Sequence, residues 1–225
     1  MNDIFLNRTD AGKRLGLALM NYAGRDDVVV LALPRGGVPV GYEVAKALRC
    51  PLDVLIVRKL GAPYNPELAM GAIASGDALY VNETVVRALH VTDKQFADTL
   101  ARERVELERR ESLYRGPRLP APVEGKTVIV VDDGLATGAT MHAALKALRS
   151  KHPRAAVVAV PVCPAGIEAR FTSIADDVVC VMQPDWFMGI GQFYADFRQT
   201  SDEEVRACLD AAQPWRGEAG APHLP

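Results

Sequence analysis

Residues 128–140 read VIVVDDGLATGAT, and this stretch restricts the fold more than any other. The β-branched run Val128, Ile129, Val130 and Val131 makes a strand buried on both faces, as in a parallel sheet covered by helices. Asp132 and Asp133 stand where that strand must end, ahead of a loop containing Gly134, Ala136, Thr137, Gly138, Ala139 and Thr140. The following MHAALKALRSKH has its apolar residues at helical spacing, so the unit is strand, acid pair, small-residue loop, helix. A buried carboxylate is costly unless paired or bound to a metal, so two together at a strand end point to a polar ligand beyond it. Glycines let backbone N–H groups approach an anion, and a helix N-terminus adds partial positive charge. The hydroxyls of Thr137 and Thr140 are further donors. A sugar phosphate, with hydroxyls for the acids and a phosphate for the loop, satisfies both halves.

The same strand–loop–helix rhythm recurs. DDVVVLALPRGG is a buried strand ending in Pro34-Arg35-Gly36-Gly37, followed by a helix carrying Val40, Val44, Ala47 and Leu48. DVLIVRKL ends in Arg58 and Lys59, while AAVVAVPVCP and DVVCVMQ are two later strands. Alternating β and α predicts an α/β domain with a mostly parallel central sheet flanked by helices. Ligand loops then converge at the sheet's carboxyl edge, where Arg58 and Lys59 would meet phosphates. Asn7 or Asp10 caps a first helix with Leu15, Leu19 and Tyr22 on one face.

The 225 residues suit one substantial domain, expected over 1–212, with 213–225 lacking fixed structure. Residues 60–82 carry Pro63, Pro66, Gly71 and Gly76 and read as an irregular, mobile lid ending in a small hairpin. Tyr64 and Glu67 are its candidate acting residues. Residues 92–115 form an inserted long polar helix docked by a thin stripe of Phe96, Leu100, Leu107 and Tyr114. Residues 183–200 mix aromatics with glycines and read as a small hood.

Composition narrows the classes. A formal charge of −2 gives no electrostatic reason for a nucleic-acid or membrane partner. Cys50, Cys163, Cys180 and Cys208 are scattered, which suggests reduced thiols in a cytoplasmic protein, without a disulfide frame or zinc site. His142 reads as a helix-surface residue. Gly125-Lys126-Thr127 mimics the end of a nucleotide-binding P-loop, but the position of the first glycine holds Pro120, and a strand follows where a helix should.

VIVVDDGLATGAT resembles the phosphoribosyl pyrophosphate motif of the type I phosphoribosyltransferases: four aliphatics, two acids, then a T-G-x-T phosphate loop. NRTDAGKRLGLAL, LPRGGVPVG, RKLGAPYNPELAMGA and DFRQTSDEEV extend the likeness to an uncharacterised branch of that family. The resemblance implies a Mg²⁺-dependent enzyme that displaces pyrophosphate from ribose by a nitrogen nucleophile, a nucleobase with purines favoured. It places Asp132 and Asp133 on the ribose hydroxyls, directly or through Mg²⁺-bound water, and residues Ala136 to Thr140 around the 5′-phosphate. Arg35, Gly36, Gly37, Arg58 and Lys59 would hold the pyrophosphate, in a loop that often contains a non-proline cis peptide. Trp186 or Phe187 matches an aromatic that lies against the base. A homodimer is expected. A regulator that senses phosphoribosyl pyrophosphate without turning it over is the rival reading. Hypoxanthine and guanine enzymes carry an aspartate at the place of Ala136 and a lysine within the stretch that here reads PVCPAG, so their route to the base is not expected.

Overall fold

Among the described residues of the computed structural model (4–63, 65–213 and 215), eight strands form. They are β1 (Val28–Ala32), β2 (Leu52–Val54), β3 (Val57–Ala62), β4 (Asn65–Ala74), β5 (Ala78–Val81), β6 (Thr127–Val131), β7 (Ala155–Val162) and β8 (Asp177–Met182). The α-helices are α1 (Arg8–Ala18), α2 (Gly37–Leu48), α3 (Glu83–Ala88), α4 (Asp93–Arg115), α5 (Ala139–Arg149) and α6 (Asp202–Ala211). Strands β2-β1-β6-β7-β8 make a parallel sheet in that order, as the βα alternation predicts.

Burial on both faces explains the uninterrupted aliphatic runs: every residue of β1 and β6 is buried. Alternate side chains serve opposite cores. Val28, Val30 and Ala32 pack with Ile129, Val131 and the apolar faces of α1, α2 and α6. Val29 and Leu31 pack with Val128, Val130 and the α5 stripe Met141, Ala144, Leu145 and Leu148. Asn7 is the cap of α1, its side chain accepting from the amide of Asp10. No described helix is long and apolar enough to cross a membrane.

Residues 60–82 depart from the expected irregular lid. With the start of β3 they form a second, antiparallel sheet in the order β3-β4-β5. The glycines and prolines that suggest a loop instead permit close backbone approach in a bulged ladder. A Cβ on Gly71 would lie 2.4 Å from the Tyr80 carbonyl oxygen, and one on Gly61 would lie 2.6 Å from that of Pro66. The ladder shifts register on both sides of Gly61.

The inserted helix is α4, opened by a capping box between Thr92 and Gln95, with Leu107 and Tyr114 buried along its stripe. Its last residue brings an unexpected buried ion pair, Arg115 with Asp53, whose side chains are 6% and 2% exposed. Residues 183–200 pack against the start of the chain: the amide of Phe5 donates to the Phe193 carbonyl at 2.8 Å, and that of Ala195 to Phe5 at 2.8 Å. Phe5, Ala11, Val162 and Tyr194 form the small core beneath. Gln213 and Trp215 aside, residues 213–225 lie outside the described residues, and the ring of Trp215 lies 5.5 Å from that of Tyr42. The cysteines are less scattered in space than in sequence, for the sulfurs of Cys163 and Cys180 lie 2.7 Å apart. The GKT decoy resolves as expected, with Gly125 in a turn and Thr127 starting β6.

Candidate active site

Adjacent parallel strands in register deliver two loops to one place. Ala32 pairs with Val131, and the amide of Leu33 donates to the Val131 carbonyl at 2.8 Å. Leaving β1, the chain passes a cis peptide between Pro34 and Arg35 and enters α2 at Gly37. A Cβ on Gly36 would lie 2.0 Å from Oδ2 of Asp133, and one on Gly37 would lie 2.8 Å from the Val131 carbonyl oxygen and 2.9 Å from Cα of Asp132. Glycine is therefore required at both places for the backbone to lie against the acids. The amide of Gly37 is donated to the Leu33 carbonyl at 3.1 Å, so this N–H serves the turn into α2 and not an incoming pyrophosphate.

The acids themselves are enclosed. Oδ1 of Asp132 accepts the amide of Asp133 at 2.8 Å. Asp133 meets a residue that the sequence did not mark: Arg8, the first residue of α1, donates Nε to its Oδ2 at 2.8 Å, and Nη2 forms an ion pair with the same oxygen at 2.8 Å. The Asp133 carbonyl accepts the hydroxyl of Tyr194 at 2.6 Å. Burial raises the Asp132 carboxyl well above its usual range, and the neighbouring charge of Asp133 adds to this. Burial also raises Asp133, opposed by Arg8. Burial likewise pushes the Tyr194 phenol up, and it remains a neutral donor.

Beyond the acids, Leu135 donates its amide to the Val162 carbonyl at 2.9 Å, tying this loop to β7. Gly138 then caps α5 at a φ of 73°. A Cβ there would lie 2.9 Å from the ring of Phe171, so left-handed backbone and close packing both call for glycine. Arg170, another residue unmarked in the sequence, donates to the Thr137 carbonyl at 2.9 Å and braces the turn. Thr137, Gly138, Ala139 and Thr140 line one end of a cavity of about 840 Å³. Lys59, Tyr80, His142, Lys146 and Arg170 are also on its wall. His142 thus faces this cavity and not open surface; burial and then Lys146 lower its pKa.

Other expected residues lie elsewhere. The guanidinium of Arg35 pairs with Asp202 in the first turn of α6, at 3.6 Å. Arg58 pairs with Glu103 of α4 at 2.6 Å. Arg58 and Lys59 of β3 both line a cavity against α4, and of the two only Lys59 also borders the phosphate-loop cavity. Trp186 is 76% exposed, and Phe187 stacks on Phe193 at 5.3 Å. Tyr64, and the side chain of Glu67, lie outside the described residues. No cluster of three or more metal-binding side chains occurs among the described residues; the acids form a pair only.

The acid pair, the glycine turn wedged against it and the helix entry that follows thus meet at the carboxyl edge of a parallel α/β sheet. Residues 6–198 match the family model described as the phosphoribosyl transferase domain, and the chain belongs to that family. A Mycobacterium tuberculosis protein provisionally named a phosphoribosyl transferase is 48% identical over 219 residues, which is 97% of this chain and 49% of the relative. The chain therefore spans about half the length of the curated relatives it matches first. The crystal structure of TT1426 from Thermus thermophilus superposes with a TM-score of 0.81 at 42% identity, covering 92% of this chain and 97% of that one. A bifunctional protein PyrR from Leifsonia xyli is 32% identical over 138 residues, 61% of this chain and 58% of its own.

Proposed function

We propose that the chain catalyses transfer of a 5-phosphoribosyl group from phosphoribosyl pyrophosphate to a nitrogen nucleophile, a nucleobase with purines favoured. The observation that carries this reading is the convergence of Asp132, Asp133 and the Gly36–Gly37 turn at one point, with the Thr137–Thr140 loop directly following. In the reaction the anomeric C–O bond to pyrophosphate breaks, a C–N bond forms, and the sugar passes through oxocarbenium character.

Thr137 to Thr140 bind the 5′-phosphate through backbone N–H groups, hydroxyls and the start of α5. Asp132 and Asp133 hold the ribose hydroxyls and stabilise positive character on the ring. Lys59 reaches the phosphates from the antiparallel sheet, and Gly36 lets the backbone lie directly against Asp133. Two adjacent carboxylates with Arg8 as the one cation bonded to them among the described residues suit Mg²⁺, a hard ion that takes oxygen ligands and keeps most of its waters. Bound there, Mg²⁺ stabilises charge on the departing pyrophosphate. Because Ala136 supplies no carboxylate, the proton on the acceptor nitrogen leaves by a route other than a side chain at that position.

The test is pyrophosphate release from Mg–phosphoribosyl pyrophosphate across a panel of purine and pyrimidine bases, with Asp133→Asn as control. Release that depends on one base and on Asp133 is expected. Tight donor binding with no release on any base would instead make the chain a sensor of that metabolite. Absence of donor binding would overturn the reading.

A further inference from the structure

Arg8 has no local reason to be where it is. It is the first residue of α1, where the helix dipole disfavours a cation, and its side chain is only 13% exposed. Burying a guanidinium is costly, and one at a helix start could extend into water instead. Three of its atoms are nevertheless committed. Nε donates to Oδ2 of Asp133 at 2.8 Å, Nη2 forms an ion pair with the same oxygen at 2.8 Å, and Nη1 donates to the Arg198 carbonyl at 2.6 Å. Its guanidinium carbon lies 4.2 Å from the centre of the Phe197 ring. A Cβ on Gly36 would come within 3.2 Å of Nε, so the glycine turn closes over the same pair.

This geometry does two things to Asp133. The hydrogen bond and the ion pair both fall on Oδ2, so Arg8 holds the carboxylate through that oxygen and not through Oδ1. The third bond ties the carboxylate to residues 197–198, the end of the segment that follows the last parallel strand. We infer that Arg8 is a positioning residue for the phosphoribosyl donor: it presents Oδ1 of Asp133 to the ribose hydroxyls and links that carboxylate to the 197–198 segment. This inference rests on the donor reading above and adds a residue to it.

The test is calorimetric titration of the wild type, Arg8→Gln, Arg8→Lys, Asp133→Asn and the Arg8→Gln/Asp133→Asn double variant with Mg–phosphoribosyl pyrophosphate. Inorganic phosphate serves as the control ligand for the Thr137–Thr140 loop. Arg8→Gln is expected to weaken donor binding at least tenfold, with Arg8→Lys recovering part of the loss and phosphate binding unchanged. The double variant is expected to bind no more weakly than Asp133→Asn alone, because both changes remove one arrangement. Donor affinity of Arg8→Gln within twofold of wild type, or additive losses in the double variant, would overturn the inference. So would a parallel loss of phosphate binding, which marks general disruption. Should Arg8→Gln not fold, Phe197→Leu removes only the ring beneath the guanidinium and must weaken donor binding by a smaller factor while sparing phosphate. A wild type that binds phosphate but no donor overturns the donor reading itself.

Discussion

The two ends of β6 treat carboxylates in opposite ways. At its start, Asp27 accepts from Arg25 at 2.9 and 3.0 Å and from the Thr127 hydroxyl at 3.2 Å, and it forms an ion pair with Arg154 at 2.8 Å. Chiefly through Arg25, its carboxyl is held down to about 2. At the other end, Arg8 bonds Asp133 and not Asp132, and both carboxyls are pushed upward by burial. The first arrangement is self-sufficient and asks nothing of a ligand. The second holds two carboxyls with Arg8 as the one cation bonded to them among the described residues, so it is short of positive charge. Under the proposed function, excess of partners marks structure here and deficit of charge marks the reacting site.

The sharpest way to break the comparison is Gly36→Ala. Its methyl group would collide with Asp133, so pyrophosphate release should fall at least about 100-fold, the cost of misplacing a reacting group by an ångström. Chemical denaturation should show an accompanying loss of about 1–3 kcal/mol from overpacking. Next in size, Lys59→Ala should weaken donor binding by about tenfold through loss of a phosphate contact, while Arg58→Ala should change it little, as calorimetry can read.

Asp132→Asn separates stability from activity. Removing an undersupplied buried charge should abolish release yet raise stability at neutral pH by about 1–3 kcal/mol, measured by urea titration. The sign follows from linkage. A carboxylate whose folded pKa is raised destabilises the protein above that pKa, and the penalty shrinks as pH falls through it. The stability gap between Asp132→Asn and wild type should therefore narrow on acidification and close below about pH 4, where the unfolded chain is protonated too. Asp27 has the opposite sign. Its contribution is complete above the unfolded carboxylate range and is lost as pH falls toward about 2. Because the Asp27 cluster is partly exposed, Asp27→Asn should cost at most about 1 kcal/mol and leave release unchanged.

Features encoded within a few residues were legible in the chain itself. The β6–acid–loop–α5 unit, the glycine turn after β1 and the parallel sheet all follow from local pattern, and each appears where the pattern puts it. The apolar stripe of α4 is of the same kind. What could not be read depends on partners far apart in sequence. Arg8 lies 125 residues from Asp133 and reads as an ordinary cation near a helix start. Arg35 looks like a phosphate ligand until α6 brings Asp202 beside it. The strand alternation that sends Arg58 to Glu103 and Lys59 to the phosphate-loop cavity was legible in principle. It was obscured because the glycines and prolines of 60–82 read as a loop, when they serve a bulged antiparallel ladder.

The meeting of Phe5 and Arg8 with Tyr194 to Arg198 also sets an order of events. Domains are built from the N-terminal side during synthesis, so the glycine turn and the acid pair leave the ribosome well before residue 194. Until then, the carbonyl of Asp133 lacks its tyrosine, and Arg8 lacks its backbone anchor. A nascent chain stopped after β8 could hold the parallel sheet yet not the finished pocket. Assembly of the acid corner is therefore a late event in the folding of this domain.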